Sequence, residues 1–107
     1  MIVAFSVAPS GAPAGGDAPT DASVHDAVAA AVKVVRDSGL PNRTSSMFTE
    51  IEGEWDEVME VVKRATFAVA GYGSRVSLVL KADIRPGFSG ELDGKIERLE
   101  KALGELD

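Results

Sequence analysis

Large apolar residues alternate with small residues at the start of the chain, and the spacing becomes helical only after a stretch rich in proline and glycine. The alternation from Ile2 to Ala8 is typical of a strand, which Pro9 would end. One face carries Val3, Phe5 and Val7, and the other carries Ala4, Ser6 and Ala8. We expect both faces of this strand to be largely buried.

The first helix is expected after the stretch SGAPAGGDAPTD, which favours neither helix nor strand. We interpret residues 10–22 as a flexible loop insertion that folding does not require. Ser23, followed three residues later by Asp26, is a variant of the capping box. Valine and alanine then recur at helical spacing until Gly39, so the pattern predicts an amphipathic helix between these points.

The middle of the chain predicts a hairpin and a second helix. Residues 44–52 are polar but β-prone, which favours two short antiparallel strands with a reversal near Met47 and Phe48. Gly53 ends this region. An amphipathic pattern with an acidic first turn begins at Trp55 and closes at Gly71.

The last third predicts a half-buried strand over 75–85 and a helix whose apolar residues step by three and four from Leu92 to Leu106. The order of elements indicates an α+β fold: a single domain over 1–107 with the ferredoxin-like βαββαβ arrangement, a four-stranded antiparallel sheet and an added C-terminal helix. Both main helices should cover one sheet face. The other face would be bare in a monomer, so we expect something to cover or use it.

Charge and composition narrow the class of partner. A net charge of -6 and a pI near 4.7 repel nucleic acid and anionic lipid. No segment approaches the length needed to span a bilayer, and the apolar start lacks the basic residues of a signal peptide, so we expect a cytoplasmic location. The chain has no cysteine, which excludes disulfides and thiolate metal sites.

Patterns that would indicate catalysis are weak. The motif GYGSR at 71–75 follows a helix and precedes a strand, which is the reverse of a dinucleotide-binding order. His25 is the only histidine, so a multi-histidine metal site is excluded and a hydrolytic triad has little support. The many carboxylates are explained by solvation of loops and helix starts. We therefore expect no enzymatic activity and no metal.

The chain resembles the thiamine-binding protein family, the small single-domain YkoF-like proteins. The motifs that carry the resemblance are FSVAP at 5–9, SV at 23–24 leading into AVKVVRDSGL, MFTEIEGEWDEVMEVVK at 47–63, and RVSLVLKADIR at 75–85. The resemblance implies non-catalytic binding of thiamine or its hydroxymethylpyrimidine part, with no cofactor besides that ligand. It also implies subunits that associate through their sheets into homodimers or homotetramers. The loop over 10–22 departs from the family pattern.

Five residues are candidates for ligand binding. Thiamine joins a hydrogen-bonding aminopyrimidine to a cationic thiazolium, so its site needs polar groups, an apolar wall and preferably a carboxylate. We expect hydroxyls from Ser6 and Thr49, with Ser23 nearby at the helix start. Glu52, and after it Asp83, are the candidates for the carboxylate.

Each of these residues also has a structural explanation. Ser6 could bond to backbone, Ser23 could only cap its helix, and Glu52 could only solvate a strand end. Asp83 could pair with Lys81 or Arg85. Because a ferredoxin-like scaffold alone fixes no function, a structural or regulatory protein-interaction module is the alternative class, and an enzyme acting on a small metabolite ranks third.

Overall fold

The computed structural model describes the backbone of residues 1–12 and 21–106, and the side chains of 1–12 and 25–106. The predicted flexible loop over 10–22 lies mostly outside these residues. Four strands, three α-helices and one short 3₁₀ turn follow in the expected order. Their bounds are β1 Ile2–Ser10, α1 Asp21–Asp37, β2 Asn42–Thr44, β3 Thr49–Glu52, α2 Trp55–Val69, the 3₁₀ turn Ala70–Tyr72, β4 Arg75–Asp83 and α3 Glu91–Glu105.

The strands form one antiparallel sheet in the order β2-β3-β1-β4. β1 pairs with β4 along its whole length, from Ile2 opposite Asp83 to Ser10 opposite Arg75. Its pairing with β3 is shorter and ends at Phe5 opposite Thr49. The ferredoxin-like arrangement with an added C-terminal helix is confirmed.

The core lies between the sheet and the helices α1 and α2. β-branched side chains suit the pleated sheet, and alanines on α1 let that helix approach closely. Both helices contribute to the same buried cluster as one face of β1, so they cover the same side of the sheet as predicted. The cluster comprises Val3, Phe5, Val7, Ala27, Ala31, Val35, Ile51, Val58, Val61, Val62, Ala65 and Val69.

The second face of β1 differs from the sequence prediction. Ala4 and Ser6 are only half-buried and Ala8 is exposed, so the expectation that both faces are largely buried is wrong. Small apolar side chains indicated burial, but none of the described helices packs over the outer half of this strand. The sheet therefore has a helix-covered face and a free face.

α1 also begins earlier than the sequence indicated. Its first residue is Asp21, so Ser23 lies in the first turn of the helix and not at its cap. The predicted hairpin is present with its reversal at Met47 and Phe48, but its first strand begins at Asn42, two residues before the predicted region. Its turn is closed by Ser45, whose backbone N–H donates to the carbonyl of Phe48 at 2.9 Å.

α3 starts against the free face and then leaves it. Leu92 is buried, whereas Ile96, Leu99 and Leu103 are about half exposed. The apolar seam predicted for this helix is therefore present, but of these four apolar residues only Leu92, in the first turn, is buried by the described residues. We call the three exposed residues the α3 seam.

Candidate functional site

A cavity opens where β1 continues beyond the end of β3. The β2-β3 hairpin closes one side of this opening, and α1 closes another through its apolar side chains. The volume is about 190 Å³, and the lining residues are Phe5, Ser6, Val7, Ala8, Val28, Ala31, Val32, Thr44, Ser45, Ser46, Met47, Phe48 and Thr49. We call this the hairpin cavity.

The lining of the hairpin cavity is apolar and rich in hydroxyl groups. Within the described residues, no charged side chain contributes to it. Such a surface suits a neutral ring that offers a few hydrogen-bonding groups. A phosphate would find no cation here among the described side chains, and its desolvation would be uncompensated.

The structure brings Ser6 and Thr49 to this cavity, as predicted for a common site. Their side chains lie on opposite faces of the sheet, since Ser6 follows the helix-facing Phe5 while Thr49 is opposite Phe5 in the register. Both border the cavity because β3 begins only at Thr49, so that β1 beyond Phe5 has no neighbouring strand on that side among the described residues.

The hydroxyl groups at the cavity differ in availability. Ser45 is engaged by its own turn, since its Oγ donates to the Phe48 carbonyl at 3.0 Å and accepts from the Phe48 N–H at 3.3 Å. Among the described residues, no hydrogen bond engages the hydroxyl of Ser6 or that of Thr49, which is 9% exposed. Within the part of the chain that the structure describes, these two hydroxyls are available to contact a ligand.

Ser23 belongs to the first turn of α1, and its side chain lies outside the described residues. Its predicted contact with a ligand stays a prediction.

Glu52 has a different environment from the one expected. Its side chain is only 5% exposed, and its carboxylate accepts hydrogen bonds from the backbone N–H groups of Glu91 at 2.8 Å and Leu92 at 3.3 Å. These are the first residues of α3, whose N-terminal N–H groups need acceptors. A carboxylate there is also favoured by the helix dipole. Glu52 thus caps a helix that begins 39 residues later.

Asp83 is likewise engaged by α3, and its partner is neither Lys81 nor Arg85 but Lys95. It borders a second cavity, of about 210 Å³, between α3 and the free face of the sheet. Glu52 and Asp83 do not line the hairpin cavity, so the structure groups Ser6 with Thr49 and separates both carboxylates from them. Their contribution to ligand binding stays a prediction that their positions do not support.

Several residues of the hairpin cavity were not singled out by sequence reasoning. Met47 and Phe48 supply apolar surface from the hairpin turn, and Val28 and Val32 supply it from α1. Met47 could have been found from the sequence, because a large apolar residue at the tip of a polar hairpin has no role in a core. In the structure it is 75% exposed.

In the part of the chain that the structure describes, no group of three or more histidine, cysteine, aspartate or glutamate side chains could hold a metal ion. Nor does any described helix have the length and apolar character needed to cross a membrane.

Comparison with known proteins identifies the family. The model of the family described as "Thiamine-binding protein" matches residues 3–100. The chain belongs to this family. The matched region includes β1, the hairpin and most of α3, so it contains every residue of the hairpin cavity.

Close relatives in the family cover almost the same length. The UPF0045 proteins Mb1933 of Mycobacterium bovis and MT1949 of Mycobacterium tuberculosis are each 48% identical over 104 residues, which is 96% of this chain and 94% of the relative. A UPF0045 protein of Methanocaldococcus jannaschii is 36% identical over 85 residues, covering 79% of this chain and 81% of that protein.

Solved structures show the same fold. A DUF77 domain from Bacillus cereus superimposes with a TM-score of 0.72 at 32% identity, covering 89% of this chain and 85% of that one. A Thermotoga maritima protein assigned provisionally to thiamine biosynthesis or salvage has a TM-score of 0.69 at 23% identity, with 90% and 96% coverage. The second likeness concerns the fold alone.

Proposed function

We propose that this protein binds thiamine, or its hydroxymethylpyrimidine part, without catalysing a reaction. The observation that carries the proposal is the hairpin cavity, where the hydroxyl residues Ser6 and Thr49, unengaged by any other described residue, border an apolar lining. Membership of the thiamine-binding protein family supports the choice of ligand. No cofactor besides the ligand is proposed, and the expected cytoplasmic location stays a prediction.

The size of the cavity favours one ring over two. Sites for drug-sized ligands occupy roughly 300–1,000 Å³, whereas this cavity measures about 190 Å³. We propose that the aminopyrimidine ring enters the cavity and hydrogen-bonds to Ser6 and Thr49, while a thiazolium, if present, remains outside.

A thermal-shift series tests the proposal. A ligand that binds only the folded protein raises its melting temperature. We expect thiamine and hydroxymethylpyrimidine to raise it, and the phosphate of thiamine to add nothing, because the described lining of the cavity offers no cation. If no member of the series changes the melting temperature at millimolar concentration, the proposed function is wrong.

We also propose that two copies of the chain associate. β4 is an edge strand of nine residues, and it exposes 44% of Leu78 and 56% of Val79. An apolar strand edge of this length is normally paired or covered. The α3 seam adds exposed apolar surface, so a homodimer that uses the free face or edge of the sheet, or a tetramer built from it, would bury both features.

Light scattering at micromolar concentration tests this association. We expect at least twice the monomer mass, and we expect Val79→Lys to lower it because a buried charge opposes the contact. The matched control is Phe67→Lys, which adds the same charge to an exposed apolar residue of α2, outside the proposed interface, and should leave the mass unchanged. A monomer mass for the parent protein would show that the exposed surfaces remain free.

If ligands also leave the protein unaffected, the alternative of a protein-interaction module gains support from the α3 seam.

A further inference from the structure

The two edges of β1 differ in their backbone hydrogen bonding. On one edge β4 pairs with β1 as far as Ser10, whereas on the other edge β3 pairs only as far as Phe5. Beyond Phe5 the second edge has no partner strand among residues 1–12 and 21–106. This open edge borders the hairpin cavity through Ser6, Val7 and Ala8.

The pairing pattern determines which residue directs its backbone N–H and C=O groups into the hairpin cavity. The Gly53 N–H donates to the Met1 carbonyl at 3.1 Å, one step before the first registered pair of β1 and β3. In an antiparallel ladder, residues that exchange hydrogen bonds alternate with residues that do not. Val3 and Phe5 therefore point their N–H and C=O groups towards β3, and the next residue in this series is Val7.

Val7 then carries a donor and an acceptor that face the cavity. Its neighbours Ser6 and Ala8 point the other way, towards Val79 and Ser77 of β4. Val7 is only 8% exposed, and within the described residues no strand lies opposite its open side. A backbone amide in such a position normally has a polar partner, since an unpaired buried amide is costly.

Pro9, the next residue whose backbone faces the open edge, restricts the kind of molecule that can pair with Val7. Pro9 follows Val7 on the same edge and has no N–H to donate. Proline on an open edge prevents the regular addition of another strand. The edge thus offers a single donor, the Val7 N–H, with the Val7 carbonyl beside it and the Pro9 carbonyl two residues on. A small molecule suits this set better than an extended peptide, which needs a donor at every second residue.

We propose that the backbone N–H and C=O of Val7 hold one edge of the ligand. The N–H would donate to a ring nitrogen, and the C=O would accept from an amino group on the neighbouring ring carbon. An aminopyrimidine presents these two groups side by side, and so does any heteroaromatic ring with an amino group next to a ring nitrogen. The inference rests on the proposed function, and it assigns specificity to the main chain, with Ser6 and Thr49 as supporting contacts.

Amide hydrogen exchange of the ¹⁵N-labelled protein tests the geometry without ligand. Amides in a ladder exchange slowly, and unpaired ones exchange faster. We expect the Val7 amide to exchange at least about tenfold faster than those of Ser6 and Ala8, which are its internal controls. Equal protection of all three amides would overturn the inference, because Val7 would then already have a partner.

Addition of hydroxymethylpyrimidine tests the contact itself. We expect the Val7 amide proton to shift downfield and its exchange to slow, with smaller changes at Ser6 and Ala8. The matched ligand is the analogue with a methyl group in place of the amino group, which leaves the Val7 carbonyl unpaired. Its affinity should be lower by roughly 5- to 150-fold, the equivalent of losing a buried hydrogen bond.

The outcomes separate this inference from the function on which it rests. If calorimetry shows that hydroxymethylpyrimidine binds while the Val7 amide does not respond, or if the methyl analogue binds equally well, the inference is overturned and the proposed function stands. If neither thiamine nor hydroxymethylpyrimidine binds, both are overturned.

Discussion

The two faces of the sheet are held to their helices by different forces. On the covered face, α1 and α2 bury a continuous set of aliphatic side chains around Ile51 and Val58, both fully inaccessible to solvent. On the free face, α3 is attached by the Glu52 cap, by one buried leucine and by ion pairs. Two ion pairs join α3 to the strands, one between Arg43 and Asp93 and one between Lys95 and Asp83.

The interactions that stabilise the whole fold therefore differ from those that hold α3 on the sheet. Aliphatic burial is worth about 25 cal/mol per Å² and does not depend on orientation. Exposed ion pairs contribute only about 0–1 kcal/mol each and are weakened by salt. The covered face should therefore determine global stability, and the free face should determine only whether α3 stays in place.

The largest effect is expected in the covered core. Ile51→Ala should destabilise the protein by about 2–5 kcal/mol, because it removes buried methyl groups and leaves a cavity. Urea unfolding measures this change. The matched control is Ile84→Ala, at a residue that is 59% exposed, where we expect a change within about 0.5 kcal/mol. Similar losses for the two variants would contradict the assignment of the core.

A smaller and more local effect is expected at the helix cap. Glu52→Ala should cost about 1–3 kcal/mol, because it leaves the N–H groups of Glu91 and Leu92 without an acceptor. Hydrogen exchange should increase in the first turn of α3 and not in α2.

Glu50→Ala is the matched control for Glu52. Glu50 lies on the same strand and the same face, but it is exposed, and the Glu91 and Leu92 N–H groups donate to Glu52 and not to Glu50. Its loss should leave exchange in α3 unchanged. If Glu50→Ala loosened α3 as much as Glu52→Ala, overall negative charge would explain the effect instead of capping.

The smallest effect is expected for a single ion pair. Lys95→Ala removes the partner of Asp83, and since both side chains are nearly half exposed we expect a loss of no more than about 1 kcal/mol. Unfolding measured at low and at high salt would check this. A loss that is large and insensitive to salt would show that the pair is shielded from solvent.

The same contrast explains how far sequence alone could predict the molecule. The order of elements, the hairpin and the face of β1 with Val3, Phe5 and Val7 all follow from local periodicity, and the structure confirms them. The exposure of Ala8 could not be predicted, because it depends on where α3 leaves the sheet.

The structure brings together two of the predicted site residues, and their binding role stays a prediction. Ser6 and Thr49 were expected at a common site because hydroxyls are uncommon in apolar strands, and both border the hairpin cavity. The engagement of Glu52 with Glu91 depends on a contact between distant parts of the chain, which no local pattern encodes. The open edge at Val7 likewise depends on the residue at which β3 begins, which is Thr49 opposite Phe5.

Isothermal titration with hydroxymethylpyrimidine and thiamine, on the parent protein and on Thr49→Val, tests the central claim most directly. We expect the parent to bind and Thr49→Val to bind more weakly by about 1–3 kcal/mol, since a hydrogen bond in the hairpin cavity is lost. Thr66→Val is the control, because the Thr66 hydroxyl donates to the Val62 carbonyl within α2 and lies outside the cavity. A parent protein that binds neither compound, or a folded Thr49→Val that binds as tightly as the parent, would contradict the account.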